Sequence, residues 1–339
     1  MKLSAWNVDH NNWQKNGSLI EKLKFLVRYA ILAPSGHNTQ PWIFKISQDT
    51  IELHSDSTRC LPIVDPENRE LIISCGCSLY FLKIAARKFG YHAHINEFPD
   101  PSSPDLLAII KISQAEPASE EELALFNAIT RRHTNRNTFE SRMISETTIN
   151  RLISMTNQED ICLHIISDDI KRNAIVDLIA MGDRMQASNK IFRRELSSWV
   201  HPNRSKHLDG MPCYAFDVSD FTSTLLPLVL RYFDWGNSQA AKDRQLALGS
   251  PVLAILSSKS DTKSSWLNTG QALASILLKA ASEGISASFF NQPIELEELR
   301  VKVTELLDTD GFPQIVFRLG YGPEVKPTPR RGLDEVLLS

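Results

Sequence analysis

Gly76-Cys77-Ser78-Leu79, continuing through Ala86, Gly90, Ala93 and Pro99, is answered 194 positions later (270 − 76) by Gly270-Gln271-Ala272-Leu273, continuing through Ala280, Gly284, Ala287 and Pro293. The Gly, Leu, Ala, Gly, Ala and Pro pairs all keep that offset. Shared amphipathic spacing would align apolar residues, but not the Gly and Pro as well. A constant offset through a helix-like run and the segment after it marks an internal duplication. Each copy then ends in a β-rich run, over residues 106–112 in the first and 314–319 in the second.

Outward from that repeat, the spacing predicts a long helix over residues 71–89, with Leu79, Leu82, Ala86 and Phe89 on one stripe. Residues 267–281 repeat it, with Leu273, Ile276, Leu277 and Ala280 in register. Further helices are predicted over 19–32, 147–155 and 169–181, and strands over 42–46, 50–54, 162–166 and 252–256. The chain therefore reads as α+β. Residues 113–122 are polar, with Pro117 and three consecutive Glu, and form the expected linker. This divides the chain into halves at 1–115 and 116–339. The second half carries an insert at about 185–245 that lacks a counterpart. It contains a predicted helix over 192–200, then His201-Pro202-Asn203, Asp209-Gly210-Met211-Pro212, and a Leu- and aromatic-rich run over 221–235.

Three segments carry chemistry. Ala33-Pro34-Ser35-Gly36-His37-Asn38-Thr39-Gln40-Pro41-Trp42 combines small residues, which let a backbone approach a flat ligand, with amides that both donate and accept. Read alone it is a helix-to-strand turn anchored by Trp42. Arg131-Arg132-His133-Thr134-Asn135-Arg136 follows an apolar run. Guanidinium forks suit phosphate, although a basic helix end has the same composition. Pro327-Thr328-Pro329-Arg330-Arg331 stiffens the chain ahead of two cations.

Together these segments resemble the FMN-dependent nitroreductase family, over residues 23–331. Arg132-x-Thr134-x-Arg136 is similar to the family's Arg-x-Ser-x-Lys/Arg, with Thr for Ser. Pro34-Ser35-x-x-Asn38-x-Gln40-Pro41-Trp42 is similar to its Pro-Ser-x-x-Asn-x-Gln-Pro-Trp. The resemblance implies halves with a central antiparallel-rich sheet flanked by helices. It implies that Pro34, Ser35, Gly36, Asn38 and Gln40 embrace the flavin, and that Arg132, Thr134, Arg330 and Arg331 hold its phosphate. Arg136 would lie at the N1/O2 edge, and His133 would touch the cofactor through its backbone. Asn291 and Gln292 fall where the family often has Glu-Gly, at the strand end whose backbone N–H meets N5.

In an ordinary nitroreductase the Arg motif precedes the Pro-Ser motif in one short chain, and two chains complete the site. Here the order is reversed. The duplication accounts for it. The first half keeps the Pro-Ser turn but has no Arg cluster over residues 6–16, while the second keeps the cluster and reads Thr156-Asn157-Gln158-Glu159-Asp160 in place of the turn. One composite site and one FMN per chain are expected, as in the Acg-like one-chain branch of the family. The implied activity is hydride transfer from NAD(P)H through flavin N5 to a small nitroaromatic or quinone-like acceptor. No side chain is expected to be catalytic in its own right. The alternative is an FMN-binding or sequestering protein with a lidded flavin and little turnover. The insert reads equally as an extra packing layer or as that lid. A pseudo-dimer is compatible with a monomer or a weak homodimer.

Composition sets the remaining bounds. A net charge of −3 gives no attraction to nucleic acid or an anionic membrane surface. No apolar run is long enough to span a bilayer, and residues 1–10 lack a signal-peptide layout. Five Cys without framework spacing suit the reducing cytoplasm, and Cys75-Gly76-Cys77 within a helical run argues against a zinc site. Neither a Gly-x-Gly-x-x-Gly nor a Walker-type loop occurs. His92 and His94 alternate on a strand face, and His201 and His207 lack helical ligand spacing, so no metal site is expected.

Overall fold

The computed structural model describes residues 3–156 and 160–338. The first half contains α1 (Leu19–Ala30), β1 (Trp42–Ser47), β2 (Thr50–Ser55), α2 (Arg69–Lys88), β3 (Tyr91–Glu97) and β4 (Leu106–Gln114). After α3 (Glu120–Ala128) come α4 (Glu146–Thr156), β5 (Ile161–Ile165), α5 (Asp169–Ser188) and α6 (Lys190–Ser198). Short elements follow: β6 (Val200–His201), β7 (Met211–Pro212), α7 (Asp220–Ser223) and α8 (Leu226–Tyr232). The chain continues through α9 (Gly236–Leu248), β8 (Val252–Ser258), α10 (Lys263–Ser282), β9 (Ser286–Phe289), α11 (Gln292–Glu295), α12 (Glu297–Leu307) and β10 (Phe312–Gly320). It closes with α13 (Leu333–Val336) and β11 (Leu337–Leu338).

Leaving aside β11, the two main sheets have one topology. The first is ordered β11-β1-β2-β4-β3 and the second β5-β8-β10-β9. Every pairing among β1 to β4 is antiparallel, as is every pairing in the second sheet. β1, β2, β4 and β3 thus correspond to β5, β8, β10 and β9, with α2 and α10 at matching places in the chain. The connections differ. Residues 48–49 join β1 to β2, whereas 166–251 separate β5 from β8, so α5 as well as residues 185–245 lacks a counterpart.

The two long helices cross where the repeated glycines meet. A Cβ on Gly76 would lie 2.1 Å from Leu267 O, and one on Gly270 2.0 Å from Ile73 O. Leu267 is Ile73 shifted by the repeat offset, so each contact is the image of the other, as a two-fold axis requires. Only glycine permits this approach. Cys77 Sγ donates to Gly270 O (3.2 Å) and Cys75 Sγ to Pro41 O (3.3 Å), so both thiols are packed into backbone contacts. Around the crossing, one continuous core joins both halves, including Phe81, Leu82, Leu273 and Leu277.

The expected linker is shorter than its polarity suggested. β4 runs through Gln114, and Ser119 with Glu122 forms a capping box that starts α3. The three Glu lie in the first turn, where acidic residues complement the helix dipole. Residues 157–159, within the Thr156–Asp160 stretch that replaces the second turn, lie outside the described residues. Residues beyond β10 cross back to the first half, where β11 adds a parallel edge to β1. Among the described residues no helix is long and apolar enough to cross a membrane.

Candidate functional site

The arginine segment leaves α3 and runs beside the second sheet. Thr134 bridges to Ala287 in β9, Asn135 N donates to Ala287 O (2.9 Å), and Asn135 Nδ2 donates to Pro323 O (2.8 Å). That anchoring places Arg132, His133, Thr134 and Arg136 along a cavity of about 190 Å³. Arg330 and Lys326 enter from the C-terminal arm, and Tyr214 enters from the insert.

The cavity wall carries four cations, Arg132, Arg136, Lys326 and Arg330, against two carboxylates, Asp217 and Glu324. Arg132 is 5% exposed, and its guanidinium has no hydrogen-bond or ion-pair partner among the described residues. It stands over the Phe81 ring at 6.0 Å. Burial pulls its pKa down to about 10, against a small upward pull from Cys77. Arg136 is pulled down to about 10 for the same reason and lies 4.9 Å over the Phe216 ring. Arg330 is lowered by burial and then by Arg132. His133, edge-on to Trp6 at 4.6 Å, is driven down to about 3 by burial, then by Arg132 and Arg330. Burial and Arg136 take His37 down to about 4. Both imidazoles are therefore neutral near pH 7, and the positive charge resides in the arginines.

The Pro34–Gln40 turn links α1 to β1. His37, Asn38 and Gln40 all adopt left-handed backbone, at φ 48°, 57° and 54°. Three such non-glycine residues in one turn concentrate strain that the surroundings must hold. Gln40 N donates to Ser35 Oγ (2.9 Å) and Gly36 N to Ser74 Oγ (3.2 Å). Asn38 Nδ2 donates to Gly210 O (2.8 Å) and Pro329 O (3.1 Å), and its Oδ1 accepts from Arg330 Nη1 (2.7 Å). Gln40 Nε2 donates to Leu208 O (2.8 Å), and its Oε1 accepts from Arg331 N (2.7 Å). The turn is thus clasped by the insert on one side and by the C-terminal arm on the other. Arg330 joins the turn to the cavity. Arg331 does not line the cavity: it donates to Gln40 O (3.0 Å) and Glu335 O, and pairs with Asp56 at 3.6 Å.

Asn291 and Gln292 do not line that cavity and sit against buried carboxylates. Asn291 Nδ2 donates to Glu70 Oε1 (3.1 Å), and Gln292 Nε2 donates to Asp183 (2.9 Å) and Asp243 (3.1 Å). Burial lifts Glu70 to about 7, with Arg69 opposing, and lifts Asp183 to about 8, reinforced by Asp243. Glu70 also reaches the turn, since its Oε2 is 3.4 Å from where a Cβ on Gly36 would stand. Sequence reasoning missed Glu70, Asp183, Tyr214 and Lys326. Lys326 carried a usable signal, as it directly precedes the Pro-rich basic run. The others are collected only by tertiary packing.

No protein-family model matches the chain. A Mycobacterium tuberculosis protein provisionally named NAD(P)H nitroreductase Rv3131 shares 30% identity over 323 residues, covering 94% of this chain and 91% of that protein. This chain belongs to the NAD(P)H nitroreductase family. Another nitroreductase relative, named acg, also from M. tuberculosis, shares 28% over 321 residues, covering 93% of this chain and 94% of its own. Nitroreductase PigM of a Serratia species shares 22% over 341 residues, covering 95% and 94%. Among solved nitroreductases, the FMN-dependent NfnB of Mycobacterium smegmatis, in complex with NADPH, superposes with a TM-score of 0.41 at 15% identity, over 63% of this chain and 96% of that one.

Proposed function

We propose that the chain is an FMN-dependent oxidoreductase with one flavin site, drawing hydride from NAD(P)H and passing it to a small nitroaromatic or quinone-like acceptor. One observation carries this reading: Arg132, Arg136 and Arg330 are buried in one cavity wall and, among the described residues, none forms an ion pair, although Asp217 and Glu324 also line the cavity, and Nε of Arg132 and of Arg330 lacks any partner. Buried, unpaired cations are destabilising on their own, so such a cluster suits an anionic ligand. Arg132, Thr134 and Arg330 would hold the phosphate of FMN. Arg136 would offset negative charge at the ring edge. When bound, the flavin supplies the hydride chemistry. In the same reading the halves divide near residue 115, and the fused pair works in the cytoplasm as a monomer or a weak homodimer.

A second reading, a flavin holder with little turnover, is favoured by the clasp on the turn. Asn38 and Gln40 already bond Gly210 and Leu208, and the cavity of about 190 Å³ is smaller than the ~300–1,000 Å³ of common ligand sites.

The experiment is a visible spectrum of the FMN-supplied protein before and after anaerobic NADPH, then NADH. Rapid bleaching supports turnover. A bound flavin reduced by dithionite alone supports the holder. No flavin band defeats both. Arg132→Met adds a readout independent of turnover. FMN affinity should fall at least tenfold while the ligand-free protein melts higher, because an unpaired buried charge has been removed. Unchanged affinity would overturn the phosphate assignment.

A further inference from the structure

The insert gathers a second set of side chains away from the arginine cavity. His201 ends β6, and His207 and Asp209 lie in the loop before β7. Their donor atoms lie within 4.8 Å of one another. His201 Nε2 is 3.6 Å, and His207 Nδ1 3.7 Å, from the same oxygen, Asp209 Oδ1. Both separations exceed hydrogen-bond length. They approach the ~3.4 Å between neighbouring donors on a tetrahedral ion with bonds of about 2.0–2.2 Å. Among the described residues His201 Nε2 is buried with Asp209 as its one charged neighbour and no partner within 3.5 Å.

The surroundings hold Asp209 and His201 in place. Arg59 Nη1 donates to the other carboxylate oxygen, Asp209 Oδ2 (2.8 Å), and to Thr39 O (3.0 Å), which fixes the carboxylate from outside. Gly210, at φ 66°, closes over the imidazole: a Cβ there would stand 2.5 Å from His201 Nε2. The two rings stack at 4.2 Å and 13°. His207 is exposed, so its ring is free to turn out of the stack and aim its lone pair beside that of His201.

We propose that His201, His207 and Asp209 form a binding site for a divalent transition ion of the zinc class, with water completing the coordination. Two imidazoles and one carboxylate suit such an ion and not Mg²⁺. The site has a structural consequence. The same loop presents Leu208 O and Gly210 O, the acceptors of Gln40 and Asn38. A bound ion would brace the clasp on the turn.

The test is calorimetric titration of the tag-free, chelator-treated full chain with ZnCl₂, alongside His207→Ala and Asp209→Asn. One Zn²⁺ per chain at micromolar affinity or tighter is expected, with Zn²⁺ raising the melting temperature and Mg²⁺ leaving it unchanged. His207→Ala should weaken binding at least tenfold while the metal-free variant melts like the parent, since the side chain is exposed. Asp209→Asn should also weaken it. Absence of saturable 1:1 binding, or wild-type affinity in His207→Ala, overturns the proposal.

Discussion

The two sheets share strand order and sense, yet one forms two layers and the other three. In β2 the residues alternate: Ile51 and Leu53 face the core, while Glu52 and His54 face outward and pair with Lys45 and each other. In β8 all seven residues are buried. Val252, Ala254 and Leu256 face the helix crossing, whereas Leu253 and Ile255 face a second core built by α5, α9, α11 and α12. α5 and α9 come from the long connection between β5 and β8, where the first half has a two-residue turn. Duplication therefore supplied one half that kept a plain hairpin and one that could grow a third layer. The same segment supplies the loop that clasps the candidate site.

The comparison can be broken first at what both sheets share. Gly76→Ala and Gly270→Ala each drive a Cβ into a backbone carbonyl. Each should destabilise the whole chain by more than ~4 kcal/mol or abolish soluble expression, and the two should behave alike. A harmless Gly270→Ala in a denaturant melt would separate the halves. The layers themselves come next. Ile255→Asp should cost roughly 4 kcal/mol, because it buries an unpaired charge between β8 and α5. Outward-facing Glu52→Ala should cost under ~1 kcal/mol, and equal losses would contradict the two-layer against three-layer contrast.

A pH series sharpens the same contrast. Asp183 in α5 titrates at about 8 when folded, against an ordinary value near 3.8. Between those values the folded state binds the proton more tightly, so this group makes stability fall as pH rises. Glu70 acts in the same direction up to about pH 7. His37 and His133, held neutral, act oppositely only below about pH 6.5. Stability should therefore decline from pH 6.5 to 8. Asp183→Asn should melt higher than the parent at pH 8, with the gap narrowing toward pH 4. A flat difference across that range would remove Asp183 from the account. The smallest effect tests symmetry in detail. Gly90 and Gly284 sit at φ 83° and 75° with open space around them, so Gly90→Ala and Gly284→Ala should each cost about 1 kcal/mol. A marked inequality would mean that the matched turns are not equivalent.

Much of this architecture is legible in the sequence because periodicity records burial. The alternation Thr50-Ile51-Glu52-Leu53 and the unbroken apolar run from Val252 to Leu256 already separate a half-buried strand from a doubly covered one. The 194-residue offset identifies the glycines that later prove to touch. Arg132, Thr134, Arg136 and Arg330 meet at one cavity because local motifs and the arm converge there. Other features have no local record. Glu70 and Asp183 take their raised pKa values from distant burial, and the amides of Asn291 and Gln292 turn to them in place of the arginine cavity. His201, His207 and Asp209 have no helical spacing. A loop folded around Gly210 brings them together.

The returning C-terminal arm also imposes an order of assembly. Among the described residues β1 gains its outer neighbour from Leu337 and Leu338, and the strained turn beside it is held by Arg330 and Arg331. During synthesis, N-terminal units emerge and fold first. Until residues 330–338 are made, a nascent chain therefore carries a bare edge on β1 and a turn held from the insert side alone.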